Sequence, residues 1–131
     1  MTRLFSGVLL ALVSAAGSTR VWPQEAPMPP DQLTRGRQVF MQVCAACHGE
    51  DGQGLPEGGP AIIAAPSLAF YATAADLFDT IRRTMPEDNP GSLSEQEYWD
   101  VVAYILAQSG LNPEGLPVGA ETAGSIPVSQ R

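Results

Sequence analysis

Apolar residues fall into three runs with helical spacing, divided by stretches in which glycine and proline interrupt any regular pattern. The first run begins at Asp31, an acidic cap candidate behind Pro29-Pro30, and sets Leu33, Gly36, Val39, Phe40 and Val43 on one helical face. It leads directly into Cys44. The second is opened by Thr73 with Asp76 three residues on, a capping-box variant, and places Leu77, Phe78 and Ile81 on one face. Pro86 disfavours helical geometry at the residue before it, so this helix ends before Met85. A turn around Asn89-Pro90-Gly91 precedes a better capping box, Ser94 with Glu97. Tyr98, Val101, Val102, Ile105 and Leu106 then continue a stripe that stops at Gly110. No segment alternates with the period of a strand and no unit repeats, so the predicted fold class is all-α.

The interruptions organise the rest of the chain. Gly49, Gly52, Gly54, Gly58 and Gly59 turn residues 49–67 into a long wrapping loop. Residues 1–17 have the order of a secretory signal: Arg3, an apolar run from Leu4 to Val13, then small residues from Ser14 to Gly17. That run is shorter than the ~20 residues needed to cross a bilayer, which favours export with cleavage near Ala16 over an N-terminal anchor. Residues 18–30 form a leader, Pro-rich from Pro23 on, residues 31–110 the folded domain, and residues 111–131 an irregular tail that either wraps the domain or frays.

Balanced hydropathy and 44% hydrophobic residues in 131 suit one globular domain with one core. All seven cationic side chains are arginine, against fourteen carboxylates, and the net charge of −7 disfavours nucleic acid and anionic lipid as partners. The two cysteines, Cys44 and Cys47, sharpen the picture. A free pair tends to oxidise in an exported protein, so their spacing needs a purpose.

Cys44-Ala45-Ala46-Cys47-His48 has the spacing for covalent haem attachment: two thiols add to two vinyl groups and the adjacent imidazole reaches the iron. Rival readings fare worse. A thioredoxin-like pair needs a βαβ context, and structural zinc needs four ligands where this chain offers two Cys and one His. With His48 the only histidine, methionine is the next candidate for the sixth iron position. Met1 and Met28 lie in the signal and leader, and Met41 is within a turn of the cysteines, which leaves Met85. A methionine after Ile81 also serves as core filler, but its place before Pro86 and downstream of the attachment motif favours ligation. Asp76, Asp79 and Asp100 are expected on a solvated face rather than in acid–base roles. Arg82 and Arg83 either approach a haem propionate or lie on the surface.

Taken together, Gly36 and Phe40, the run Cys44-Ala45-Ala46-Cys47-His48-Gly49, Thr84-Met85-Pro86, and a last helix with Tyr98, Ala103-Tyr104 and Leu106 resemble the class I c-type cytochrome family over residues 31–110. The resemblance implies three to four helices wrapped around one covalently bound haem c with His48 and Met85 on the iron. It also implies Gly36 and Phe40 packed against Trp99 or Val102, and a loop proline, Pro60 or failing that Pro66, whose carbonyl accepts a hydrogen bond from the His48 imidazole. The expected function is that of a periplasmic monohaem one-electron carrier without enzymatic activity, serving redox partners with a basic docking face. Pro90-Gly91-Ser92-Leu93-Ser94, then Tyr98 and Ala103-Tyr104-Ile105-Leu106, also resemble small cytochromes of quinoprotein dehydrogenases, so a dedicated subunit of a periplasmic dehydrogenase or oxidase complex is the second expectation. A haem enzyme or gas sensor with an open iron position is the remote third.

Overall fold

The computed structural model describes residues 30–129. The expected signal and all of the leader except Pro30 lie outside the described residues. Pro30 itself opens helix α1 (Pro30–Val39), a position where the missing N–H costs nothing. The backbone stays in the right-handed helical region through a π turn (Phe40–Cys44) and α2 (Ala45–His48), so residues 30–48 form one helical body. In the π turn the Ala45 N–H donates to the Phe40 carbonyl five residues back. The extra residue rotates α2 relative to α1, so Phe40 is turned into the core while the attachment motif is set against a different space. Gly49, at φ 82°, ends the body in a conformation that favours glycine.

Helix α3 (Ala74–Thr84) and helix α4 (Glu95–Gln108) each begin with a complete capping box, Thr73 with Asp76 and Ser94 with Glu97. Every residue of α4 from Tyr98 to Leu106 is buried, which makes it the centre of the fold. Helix α1 crosses one face of it. A side chain at Gly36 would overlap the Asp100 carbonyl and crowd the Tyr104 Cβ at 2.9 Å, so only glycine allows the approach. Phe40 packs on the Tyr104 ring at 5.3 Å. Trp99, one of the two partners expected for Gly36 and Phe40, points elsewhere and stacks on Phe78 of α3 at 3.5 Å. The reason is helical phase: positions 100 and 104 share the face toward α1, one residue round from Trp99.

Asp100 corrects a second expectation. It is 1% exposed rather than solvated, and it accepts from Arg35 Nε at 2.7 Å, Arg35 Nη2 at 3.0 Å and Gln96 Nε2 at 2.8 Å. The carboxylates of Asp100 and Asp31 hold the Arg35 guanidinium firmly in its charged form.

Residues 111–129 lie along the domain as a strap. Gln32 donates to the Val118 carbonyl at 2.8 Å and accepts from its N–H at 3.2 Å. Further on, the Ala74 N–H donates to the Ile126 carbonyl and the Val128 N–H to the Ala72 carbonyl, so the strap satisfies a first-turn amide of α3. Val118, Ala123, Ile126 and Val128 are all buried. Among the described residues there is no strand, only the single bridge of Thr73 with Pro127.

Candidate functional site

A cavity of about 950 Å³ opens between the helical body and α3, within the range that holds a cofactor-sized ligand. Val43, Cys44, Cys47 and His48 line it from the helical body, Leu77 and Ile81 from α3, and Met85 from the residue after α3. Cys44 is half-buried, Cys47 is exposed, and no disulfide joins them. Burial, with a smaller effect from Cys47, pushes the Cys44 thiol up to about 11, so it is neutral at physiological pH.

His48 is 7% exposed, and its Nδ1 lies 2.7 Å from the Pro60 carbonyl. A carbonyl only accepts, so Nδ1 donates to it, and Nε2 is the ring nitrogen left to face a ligand. Pro66 is not in that position; it begins the short 3₁₀ turn Pro66–Phe70. The loop that delivers Pro60 folds back on the motif. Gly54 N–H donates to the His48 carbonyl and Gly59 N–H to the Cys47 carbonyl, both at 2.7 Å. Gly59 lies flat against the imidazole, where a Cβ would come within 2.6 Å of Cε1.

Met85 is half-buried and held through its main chain. Its N–H donates to the Ile81 carbonyl at 2.7 Å, and its carbonyl accepts from the Tyr98 hydroxyl at 2.8 Å. Among the described residues, no arginine lines the cavity. Arg82 and Arg83 are exposed on α3 and outside that wall, with Arg83 Nε donating to the Asp79 carbonyl. Of the other acidic candidates, Asp79 is exposed and Asp76 serves the α3 cap. Exposed Glu57, Glu87 and Asp88 stand at the mouth.

Cys44, Cys47, His48, Pro60 and Met85 therefore meet at one cavity. Two features of the site are not legible in the sequence. The contact of Gly59 with the His48 ring is hidden in a glycine-rich loop that reads only as a turn, and the Tyr98 hydroxyl is hidden in a residue that reads as part of an apolar stripe. Among the described residues, no three His, Cys, Asp or Glu side chains cluster to hold a bare metal ion. Two thiols, an imidazole engaged by Pro60 only through Nδ1, a thioether and largely apolar walls instead fit a planar haem.

Fold and site thus define a small c-type cytochrome domain, built to carry haem c for electron transfer. The chain belongs to the family described as cytochrome c oxidase, cbb3-type, subunit III, whose model matches residues 31–105. It is 36% identical over 98 residues to a thiosulfate dehydrogenase of Stutzerimonas stutzeri, covering 66% of this chain and 31% of that protein. It is also 38% identical over 121 residues to the cytochrome bc1 complex cytochrome c subunit of Mycobacterium leprae, covering 82% of this chain and 42% of the relative. The chain spans less than half the length of these curated relatives. The fold matches a chain of the sulfane dehydrogenase SoxCD from Paracoccus pantotrophus with a TM-score of 0.61 at 20% identity, over 87% of this chain and 68% of that one.

Proposed function

We propose that Cys44 and Cys47 form the two thioether links, that His48 Nε2 and the Met85 sulfur are the axial ligands, and that the domain works as a one-electron carrier exported to the periplasm. The observation that carries this reading is the His48 ring, fixed through Nδ1 by the Pro60 carbonyl, on the wall of the cavity that Met85 also lines. When bound there, haem supplies a reversible one-electron centre. The protein does the rest. Cys44 and Cys47 tether the group to the end of the helical body, Pro60 raises the basicity of the imidazole, and the Met85 thioether favours a higher potential than a second imidazole would. The apolar walls would shield the group from water, and with both His48 and Met85 holding the iron no position would be left for a substrate.

Cys47 is exposed and lines the cavity together with the exposed Glu57, Glu87 and Asp88, which favours a partner with a basic face and docking that weakens with salt. No helix among the described residues is long and apolar enough to cross a membrane, and residues 1–17 supply the export signal in this reading. A second reading, a dedicated subunit or domain of a dehydrogenase or respiratory complex, is favoured by the relatives, whose names are those of a dehydrogenase and of complex subunits.

The absorption spectrum of the oxidised protein tests the ligand set. A long-wavelength sulfur-to-iron band that disappears in Met85→Ala supports it, and a high-spin spectrum in the wild type overturns it. Purification separates the two readings: a carrier comes away alone, whereas a subunit stays in a stable complex.

A further inference from the structure

We propose that Tyr98 is a positioning residue for Met85: its hydroxyl anchors the main chain of the ligand segment to α4 and sets how often Met85 leaves the iron. The proposal rests on Met85 being the axial ligand. Past Ile81 the segment has few anchors. The Met85 N–H makes the last bond back into α3, residue 86 is a proline without an N–H, and the turn bonds of Asn89 and Ser92 stay within residues 86–92. Among the described residues, the bond from Tyr98 to the Met85 carbonyl is the one hydrogen bond that ties residues 85–93 to a helix other than α3, the α4 cap residue Ser94 lying just beyond.

The anchor itself is rigid. Tyr98 is 1% exposed, its ring meets Phe78 edge-on at 6.2 Å, and it sits at the start of α4 just behind the Ser94–Glu97 capping box. Tyr98 also lines the cavity, and among the described residues its hydroxyl is the donor that the Met85 carbonyl has. Removing the hydroxyl leaves that carbonyl unpaired in the closed form, while water satisfies it in the open form. The equilibrium therefore shifts toward opening with the ring packing kept.

An external ligand for the iron reads that equilibrium directly, because its apparent affinity scales with the open fraction. The experiment titrates oxidised, haem-loaded wild type, Tyr98→Phe and Tyr104→Phe with imidazole. Tyr104 lies on the same helix, packs on Phe40 and does not line the cavity. Tyr98→Phe is expected to keep the sulfur-to-iron band and to bind imidazole roughly two- to tenfold more tightly, the net value of one part-buried hydrogen bond, with Tyr104→Phe unchanged. If the wild type shows the band and Tyr98→Phe binds imidazole as the wild type does, the proposal falls and the ligand assignment stands. If the wild type lacks the band, the ligand assignment itself falls and takes the proposal with it. A fluorinated tyrosine placed at 98 gives a second measurement should the Phe variant not load haem. Its more acidic hydroxyl is a stronger donor and should weaken imidazole binding; unchanged or tighter binding overturns the proposal.

Discussion

Substituting Gly36 by alanine sets two effects of known sign against each other. Alanine in a helix interior is worth about 0.5–1 kcal/mol more than glycine, because glycine loses more backbone freedom on folding. Gly36 lies inside α1 and does not require a positive φ, so this gain is available to the variant. Against it stands the crossing with α4. The new methyl would overlap the Asp100 carbonyl, a backbone atom inside a helix buried along nine consecutive residues, and would press on the Tyr104 Cβ at 2.9 Å. No rotamer change relieves a clash with backbone, so the helices must separate, loosening the Phe40–Tyr104 contact and the Arg35–Asp100 pair on either side. Overpacking of this kind costs about 1–3 kcal/mol or more, and the upper end applies where the obstacle cannot move. Steric cost wins: its upper end of about 3 kcal/mol, less the helix gain of about 0.5–1, leaves a net loss of about 2 kcal/mol. Guanidinium denaturation of the haem-loaded protein, followed by far-UV circular dichroism, measures it. Gln38→Ala, on the exposed side of α1, is the control and should be neutral. A Gly36→Ala protein as stable as the wild type would refute the account of the crossing.

Other substitutions separate the parts of the domain. Gly59→Ala brings a methyl within 2.6 Å of the His48 ring and should displace the imidazole, lowering the yield of haem-loaded protein and altering its ligand spectrum; an unchanged yield and spectrum count against the role of Gly59. Ile126→Ala empties a site that is 1% exposed beneath the strap and should cost about 2–4 kcal/mol in the same denaturation assay, whereas a tail that contributes nothing would show no loss. Ser94→Ala removes the α4 cap and should cost about 1 kcal/mol at neutral pH. The hydrogen bonds from the Ser94 side chain and N–H hold the Glu97 carboxyl below the usual glutamate range, so the stabilisation is complete above the unfolded value and fades as pH falls through the folded one. Titrating stability with acid should therefore show a shallower decline in Ser94→Ala than in the wild type.

Both long capped helices were legible because two independent signals agree at each. The capping pairs Thr73–Asp76 and Ser94–Glu97 mark the starts, and the 3.6-residue stripes behind them mark the bodies. The π turn left no trace in the sequence, since its five residues carry the same apolar spacing that an α-helix would. The strap was legible only as a tail that either wraps the domain or frays. Val118, Ile126 and Val128 are isolated apolar residues among glycines and prolines, and their partners lie far away in sequence: Val118 bonds to the Gln32 side chain, Ile126 and Val128 to the main chain of Ala74 and Ala72. Trp99 and Asp100 show the limit of one-dimensional phase. Adjacent positions on a helix buried on all sides face different neighbours, so Trp99 meets α3 while Asp100 finds Arg35, and no stripe distinguishes them. The convergence of Cys44, Cys47 and His48 follows from their adjacency, whereas the arrival of Met85 at the same cavity depends on how residues 49–84 wrap.

The two walls of the cavity are consequently built to different strengths. On the His48 side, attachment residues and ligand share one helical body, and residues 49–60 fold back on it through the Gly54, Gly59 and Pro60 bonds to residues 47 and 48. Contacts there are short in sequence and need little chain ordering beyond the helix itself. On the Met85 side, α3 is pinned at its start by the strap and at its end by Tyr98, from segments that arrive after it in the chain. Opening that wall breaks a handful of bonds and exposes Leu77, Phe78 and the strap residues while leaving α1 on α4 intact. Local opening with fewer broken contacts has the lower free energy. In the proposed ligand set, the thioether side of the iron is thus the one the fold can release, and the strength of the strap and of the Tyr98 anchor governs how well an exposed, acidic-mouthed carrier keeps a six-coordinate centre while partners come and go.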